Sequence, residues 1–233
     1  MDVPNQVICI LGMHRSGTSC LTGSLQDAGL FLGKHHTWNP YNTKGNRENQ
    51  DVVDLNDKVL AANDGAWDNP PAKVRWDAQL LEQGRALLAD YSGQSDLGFK
   101  DPRTPIVLDG WRELLPEMKR VGIFRHPNAV ARSLELRSGG AMSRSDGLNL
   151  WYRYNRKLYA EYKRNAFPIL CFDEPEDVFQ AKLDDVAREL GLNPPAEGER
   201  FYDGELRKAE DHAGQSLPWK IGRLYRKLRR VAR

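Results

Sequence analysis

What this sequence lacks excludes several classes of protein. It has only three cysteines, Cys9, Cys20 and Cys171, which are widely spaced and form no CxxC pair. That pattern fits reduced thiols in the core of a cytosolic protein better than a disulfide framework. No window approaches the roughly 18 consecutive apolar residues of a transmembrane helix. The first residues have no basic stretch and an apolar run of only Val7 to Leu11, so we expect no secretory signal.

Charge is nearly balanced overall but is unevenly distributed along the chain. The 233 residues contain 34 Lys and Arg and 32 Asp and Glu, a formal net charge of +2. The last fifteen residues, 219–233, contain seven basic residues and no acidic one, which leaves the rest of the chain at a formal −5. The balance does not indicate a nucleic-acid-binding protein. The length fits one domain with a small appendage, and we place the boundary between residues 1–218 and 219–233.

Hydrophobic patterning predicts alternating strands and helices. Four short apolar runs are expected to be strands: Gln6–Leu11, Leu97–Lys100, Arg120–Phe124 and Pro168–Phe172. Helical spacing of apolar residues predicts helices over Thr18–Leu30, Arg47–Asn63, Trp76–Tyr91, Thr104–Leu115, Pro127–Arg137, Leu148–Arg164 and Glu174–Leu190. This order is typical of an α/β fold in three layers, with a central parallel sheet flanked by helices. Ligands in such folds bind at the carboxyl ends of the strands.

A glycine-containing loop follows the first predicted strand and opens the first helix. It spans Gly12 to Ser19 and resembles the P-loop pattern GxxxxGK[ST], with Thr18 in the place of the lysine. Its backbone N–H groups and the start of the helix suit an oxyanion, and Ser16, Thr18 and Ser19 can add hydroxyl donors. Arg15 can supply the charge that the missing lysine would bring. The alternative is a βα turn that binds nothing.

The departure from the P-loop pattern weighs against nucleoside triphosphate chemistry. Such enzymes use the loop lysine and an acidic partner for Mg²⁺ after a strand. The third predicted strand ends at Arg125, and Asp101, which follows the second, is preceded by Lys100. A nucleotide or small-molecule kinase with an altered loop therefore stays as the weaker alternative, beside a non-catalytic nucleotide-binding or membrane-adaptor protein.

A second basic element follows the third strand. Arg125 stands at the strand end and Ser133 eight residues later, on a predicted helix with Pro127 near its start. Together with Arg15–Ser19, this spacing resembles the sulfotransferases that use 3′-phosphoadenosine 5′-phosphosulfate (PAPS), in particular their bacterial carbohydrate and tyrosylprotein branches. The segment Lys100-Asp101-Pro102-Arg103 is also similar to one in those branches, and its alternative interpretation is a strand ended by proline with a surface ion pair. The resemblance runs from about Val7 to Ser133, and more loosely to Gly191.

The resemblance implies both a donor site and a reaction. Arg15, Ser16, Gly17, Thr18 and Ser19 would hold the 5′-phosphosulfate, and Arg125 with Ser133 the 3′-phosphate. The sulfuryl group would pass in line to a hydroxyl acceptor, which by this resemblance we expect to be a carbohydrate or a glycolipid. Arg15 and Lys100 would stabilise the developing charge, and no metal is implied. By this resemblance 1–218 would be a sulfotransferase-like P-loop domain.

The base for the acceptor proton is expected in the loop Gly33–Gln50. The family resemblance favours Glu48 as a carboxylate base, with His36 and His35 as alternatives. Glu48 can also be an acid in the first turn of the next helix, placed there by the helix dipole. Three tryptophans flank this region and could stack on a sugar or belong to the core: Trp38, Trp67 and Trp76. Arg207 and Lys208 are further candidates for the 3′-phosphate.

The C-terminal segment 219–233 has apolar residues at helical spacing with basic residues around them. A basic amphipathic helix either contacts an anionic membrane surface or packs on the acidic body with its charges solvated. The cysteines and the first residues lead us to expect a cytoplasmic protein, and this helix allows peripheral contact with the inner face of a membrane. The segment bears on the acceptor, because a membrane contact would favour a lipid-linked glycan.

Overall fold

The computed structural model of this chain describes residues 6–37, 45–196, 200–201 and 216–233. Four strands form the sheet: β1 (Val7–Leu11), β2 (Leu97–Lys100), β3 (Lys119–Phe124) and β4 (Ile169–Cys171). Eight helices lie in the described ranges: α1 (Thr18–Asp27), α2 (Gln50–Ala61), α3 (Ala78–Ala89), α4 (Thr104–Leu114), α5 (Pro127–Arg137), α6 (Arg144–Arg164), α7 (Glu176–Glu189) and α8 (Trp219–Val231).

The four strands are parallel and lie in the order β2-β1-β3-β4. Neighbouring residues of β1 point to opposite faces: Cys9 joins one apolar cluster and Ile8 joins the other. The larger cluster takes its helical residues from α2, α3, α4, α5, α6 and α8, and the smaller one takes them from α1 and α7. Both faces of the sheet are therefore covered, which explains why its strands are almost continuously apolar. The predicted three-layer α/β fold is confirmed.

Helix starts differ from the predictions where a capping side chain determines them. The predicted helix from Arg47 begins at Gln50, because the side chain of Asn49 accepts a hydrogen bond from the Asp51 N–H at 2.9 Å. Glu48 therefore precedes the helix, and its interpretation as an acid of the first turn is wrong. In the same way Ser143 caps Asp146 N–H, so that α6 begins four residues before the predicted Leu148.

The order of the strands creates a crevice between β1 and β3. The chain leaves β1 into α1, on the face of the smaller cluster, and leaves β3 into α5, on the face of the larger one. Two adjacent parallel strands whose connections depart to opposite faces leave an open crevice at their carboxyl ends. The glycine-containing loop follows β1, and Arg125 follows β3, so both border this crevice.

Helix α8 lies along α6 on the larger cluster. Its residues Ile221, Leu224 and Leu228 are buried, and the Arg233 N–H after it donates to the carbonyl of Ile169 at 3.0 Å. Across the described ranges, no helix has the length and apolar character needed to span a bilayer.

Candidate active site

The loop Gly12–Ser19 folds back between β1 and α1. Two of its residues adopt positive φ, Arg15 at 65° and Gly17 at 88°, and the Ser16 N–H donates to the Met13 carbonyl at 3.2 Å. A Cβ on Gly17 would lie 2.4 Å from the Phe172 ring, so only glycine fits at this position. Helix α1 starts at Thr18 with no side-chain cap and no acid in its first turn. No described side chain therefore caps this end of the helix, and the positive end of its dipole faces the loop.

The three hydroxyls of the loop have different surroundings. Ser16 is fully buried, and its Oγ has no hydrogen-bond partner among the described residues. Thr18 is also buried, in a loop so tight that a Cβ on Gly12 would lie 2.6 Å from its methyl group. Ser19 Oγ donates to the Asn46 carbonyl at 3.2 Å. Because an unpartnered buried hydroxyl is costly, Ser16 is the strongest sign in this loop of a polar ligand.

Guanidinium groups from the loop and from the β3–α5 connection crowd the crevice. Arg15 Nε donates to Ser133 Oγ at 2.8 Å, which joins the loop to α5. Burial lowers the pKa of Arg15, and repulsion by Arg137 and Arg125 lowers it further. Arg125 is 3.5 Å from Asp173 Oδ1 and lies over the Phe172 ring at 5.5 Å. Positive charge concentrated in this way favours an anionic ligand.

Glu48 and Lys100 meet at the carboxyl end of β2. Lys100 Nζ lies 2.8 Å from Glu48 Oε1 and 3.4 Å from Ser19 Oγ. The Lys100 side chain is 1% exposed and that of Glu48 16% exposed. Burial lowers the pKa of Lys100, against the opposing effect of the Glu48 carboxylate. The pair therefore places a carboxylate and an ammonium next to the loop Gly12–Ser19.

A buried polar network surrounds Asp101, the residue directly after Lys100. The carboxylate of Asp101 accepts from Asn56 Nδ2 at 2.7 Å and from Arg103 Nη1 at 2.8 Å, and Trp111 Nε1 donates to Asn56 Oδ1 at 2.8 Å. Arg103 also pairs with Asp57 at 2.6 Å. Burial raises the pKa of Asp101, although Arg103 opposes this. Asp101 thus ties the end of β2 to α2, and the interpretation of this segment as a surface ion pair is wrong.

The histidines of the 33–50 loop face different partners. His36 is exposed, its Nε2 is 2.7 Å from Gln50 Oε1, and its backbone N–H donates to the Glu48 carbonyl at 3.0 Å. His35 Nδ1 lies 2.9 Å from the Gly33 carbonyl and its Nε2 3.3 Å from Gln26 Nε2. Of the three candidate bases, Glu48 is the one with a described side-chain contact to Lys100.

His14 is a residue of the site to which the sequence analysis gave no role. Its ring lies 4.7 Å from that of Trp67, and its Nε2 is inaccessible to solvent and has no partner among the described residues. Burial lowers its pKa well below the usual range. Four cations lower that pKa further: Arg103, Lys100, Arg137 and Arg15. The imidazole is therefore neutral at pH 7. In the sequence, the one sign that His14 belongs to the site is its position directly before Arg15.

The remaining sequence candidates divide into three groups. Trp67 contacts the loop through His14, as above. Trp76 belongs to the core, where its ring lies 5.5 Å from that of Trp111 and its Nε1 donates to the Val107 carbonyl at 3.0 Å. Trp38, Arg207 and Lys208 lie outside the described residues. Of the described residues, no group of three or more His, Cys, Asp or Glu side chains is placed to hold a metal ion.

Comparison with known proteins gives a likeness of fold. No protein-family model matches this chain. No curated protein matches it either. Among solved structures, it is similar to the sulfotransferase domain from the Synechococcus PCC 7002 olefin synthase, with a TM-score of 0.59 and 17% identity over 98% of this chain and 96% of that domain. At this level of identity the likeness shows that the chain shares the α/β fold of that domain.

Proposed function

We propose that this protein transfers a sulfuryl group from PAPS to a hydroxyl acceptor. The observation that carries the proposal is the convergence of two polar pairs on one phosphate loop, Arg15 with Ser133 and Lys100 with Glu48. The likeness to a sulfotransferase domain supports it at the level of fold.

The described residues fit a nucleotide with anionic groups at two positions. The loop offers the buried Ser16 hydroxyl, the uncapped start of α1 and the Arg15 guanidinium to one anion. Arg125, with Ser133 on the following helix, offers a second basic position across the crevice. When bound, PAPS supplies the activated sulfuryl group. Arg15 and Lys100 then stabilise charge that develops on the departing oxygens. Such stabilisation by preorganised groups is usually the largest single contribution to catalysis.

Glu48 is the base in this proposal. The acceptor oxygen forms the new bond to sulfur, the bond from sulfur to the departing bisphosphate breaks, and the acceptor proton passes to a Glu48 carboxylate oxygen. The Lys100 ammonium fixes the carboxylate at 2.8 Å and at the same time lies 3.4 Å from Ser19 of the donor loop. One lysine therefore aligns the base with the donor, and positioning of this kind supplies much of the rate.

A carbohydrate is the acceptor we propose. The Trp67 ring lies beside His14 of the loop, and an indole face at a polar site suits stacking on a sugar ring. Trp67→Ala should raise KM for a glycan acceptor and leave donor binding unchanged. Equal KM values for the two proteins would argue against a stacking role.

The donor is tested by calorimetry with adenosine 3′,5′-bisphosphate against ATP with Mg²⁺. We expect the bisphosphate to bind the wild type. Arg15→Ala should bind it at least tenfold more weakly, because a charge-assisted hydrogen bond contributes about 1.5–3 kcal/mol. Arg85→Ala, which removes an equally charged group that pairs with Glu82 on α3, is the matched control. Binding of ATP alone would replace the proposal by a kinase.

The base is tested by turnover at saturating PAPS. Glu48→Gln keeps the size of the side chain but cannot take a proton, and we expect kcat to fall by about 10²–10⁴-fold. His36→Ala should leave kcat within a few-fold of wild type, since its ring contacts Gln50 at the surface. The reverse order of effects would assign the base to His36.

A further inference from the structure

The outward side of α8 is a basic surface that the proposed function does not use. Apolar residues of the helix face inward, and Ile221, Leu224 and Leu228 are buried in the larger core cluster. The exposed residues are almost all cationic: Lys220, Arg223, Arg226, Arg229, Arg230 and Arg233, with Lys227 partly exposed. The apolar stripe is therefore committed to the body of the protein, and the helix cannot lay that stripe into a bilayer.

Few of these charges are neutralised within the described part of the chain. Arg233, which follows α8, pairs with Glu189. The Glu174 carboxylate helps to raise the pKa of Arg229. Arg229 Nη1 contacts Cys171 Sγ at 3.1 Å. The ammonium groups of Lys220 and Lys227 lie 5.2 and 5.5 Å from the rings of Tyr152 and Tyr159 on α6. The negative face of an aromatic ring attracts a cation but does not cancel its charge.

The neighbouring helix α6 extends this surface. Tyr152, Arg156, Tyr159 and Lys163 recur at helical spacing and are partly or fully exposed. The acids of α6 lie elsewhere: Asp146 is in its first turn, and the buried Glu161 pairs with Arg112 and Arg120. We call this stripe of α6, together with the exposed cations of α8 and Trp219, the α6–α8 surface.

Trp219 stands at one end of the α6–α8 surface and is 72% exposed, with the Arg223 guanidinium over its ring at 5.2 Å. Beside it is an open depression of about 390 Å³ lined by Leu217, Trp219, Gly222, Tyr225 and Arg226. An indole and a leucine next to a guanidinium suit a ligand that is apolar at one end and anionic at the other. Phospholipids have this chemistry, and Trp and Arg are favoured where membrane and water meet.

Trp219 also lies toward the edge of the sheet that bears the candidate active site. The Tyr225 ring is 5.0 Å from that of His126, which follows β3, whereas Arg233 reaches the start of β4. Trp219 is six residues before Tyr225, which places it about 9 Å further toward the carboxyl edge along the helix. A flat anionic surface in contact with Trp219 would therefore lie near the opening of the crevice.

We propose that the α6–α8 surface binds the face of an anionic phospholipid bilayer, by charge and by the Trp219 indole rather than by insertion of an amphipathic helix. The proposal does not depend on the reaction that the protein catalyses. Its cations act together, and each Lys or Arg near an anionic bilayer raises the partition coefficient about fivefold at moderate salt. Binding should therefore be strong at low ionic strength and largely lost at high salt.

The test is flotation of the full chain with vesicles of phosphatidylcholine, alone or mixed with phosphatidylserine. We expect binding to the mixed vesicles only. Arg223→Gln, Arg226→Gln and Arg230→Gln together should lower the partition coefficient about a hundredfold. The matched control, with the same loss of charge, carries Lys58→Gln, Lys73→Gln and Arg188→Gln on exposed sites of the body and should bind as the wild type does. Circular dichroism checks that both variants fold.

A second readout reports on Trp219 itself. Brominated lipid should quench part of the tryptophan emission of the wild type and quench less in Trp219→Phe. Equal flotation of the wild type and the triple variant of α8, or no flotation of either, would overturn the proposal. Tighter binding of a double-stranded DNA or heparin probe than of mixed vesicles would also overturn it, because the surface would then recognise a polyanion rather than a bilayer.

Discussion

The ion pair between Glu48 and Lys100 makes a prediction about stability that is separate from activity. At 2.8 Å the attraction of two unit charges is about 6 kcal/mol at an effective dielectric constant of 20. Desolvation of the lysine, which is 1% exposed, opposes most of it. Removal of one partner of a buried pair typically costs about 3–5 kcal/mol, since the other charge stays buried alone. The pair should therefore be strongly coupled although its net contribution is small.

The two single variants should differ because the partners differ in exposure. Glu48→Gln leaves a charged ammonium that water hardly reaches, and we expect a loss of about 3 kcal/mol. Lys100→Met leaves a carboxylate that is 16% exposed, and we expect a smaller loss of about 1–2 kcal/mol. The double variant should lose no more than about 2 kcal/mol, so that the coupling energy is about 2–3 kcal/mol.

Urea unfolding of the four proteins measures these values, and its pH dependence adds a check of sign. Burial lowers the pKa of Lys100 in the folded state, and removal of Glu48 lowers it further. The unfolded chain of Glu48→Gln then binds more protons than the folded one as the pH rises toward 9, so its deficit relative to wild type should shrink. The exposed pair Glu82 and Arg85 is the control and should couple by less than about 1 kcal/mol. A coupling that small for Glu48 and Lys100 would refute the pair, and with it the placement of the base.

Three further predictions concern the loop and its support. Folding lowers the pKa of His14, so below pH 6.5 the unfolded state binds a proton that the folded state does not, and the wild type loses up to about 1.4 kcal/mol of stability per pH unit. His14→Phe should flatten this loss of stability in acid. Unfolding at several pH values measures it, and parallel curves for the two proteins would contradict it. Gly17→Ala should lower the free energy of unfolding by about 3 kcal/mol, because of its positive φ and its contact with Phe172. Gly139→Ala, at positive φ in open space, should lower it by about 1 kcal/mol in the same thermal unfolding experiment. Equal losses would exclude the steric contribution. Asn56→Ala should lower the free energy of unfolding in urea by about 2–4 kcal/mol, because it leaves the Trp111 N–H without a partner and removes a hydrogen bond to Asp101. A loss no larger than that of Asn63→Ala, at a part-exposed site, would show that the network does not stabilise the fold.

Local sequence signals were sufficient for most of the fold. Apolar runs without interruption placed all four strands to within one residue at either end, because strands covered on both faces need no polar alternation. The ends of helices were less certain where a cap decides them. Asn49 and Ser143 each moved a helix start by three or four residues, since an apolar period cannot show which polar residue caps the helix.

The loop Gly12–Ser19 is the part of the candidate site that the sequence by itself determined. Gly12 and Gly17, with Arg15 between them, follow a strand and open a helix, so the local chain dictates a tight strand–loop–helix turn with positive φ at Arg15 and Gly17. Tertiary structure decided which distant side chains complete it. The contacts of Ser133 with Arg15 and of Glu48 with Lys100 join residues 118 and 52 positions apart, and no local pattern encodes such a distance.

The difference between local and tertiary information also explains Asp101 and His14, whose environments the sequence did not predict. Asp101 follows a strand end beside Arg103 and was given a surface ion pair as its alternative, but Asn56 and Arg103 enclose it because α2 packs over the end of β2. His14 acquires its neutral state from burial against Trp67 and from four cations on separate elements. The amino-acid sequence thus determined the strands, the loop and the basic character of 219–233. Only the packed structure decided which charges meet, which are buried and which face of α8 remains exposed, because burial and proximity depend on all the elements together.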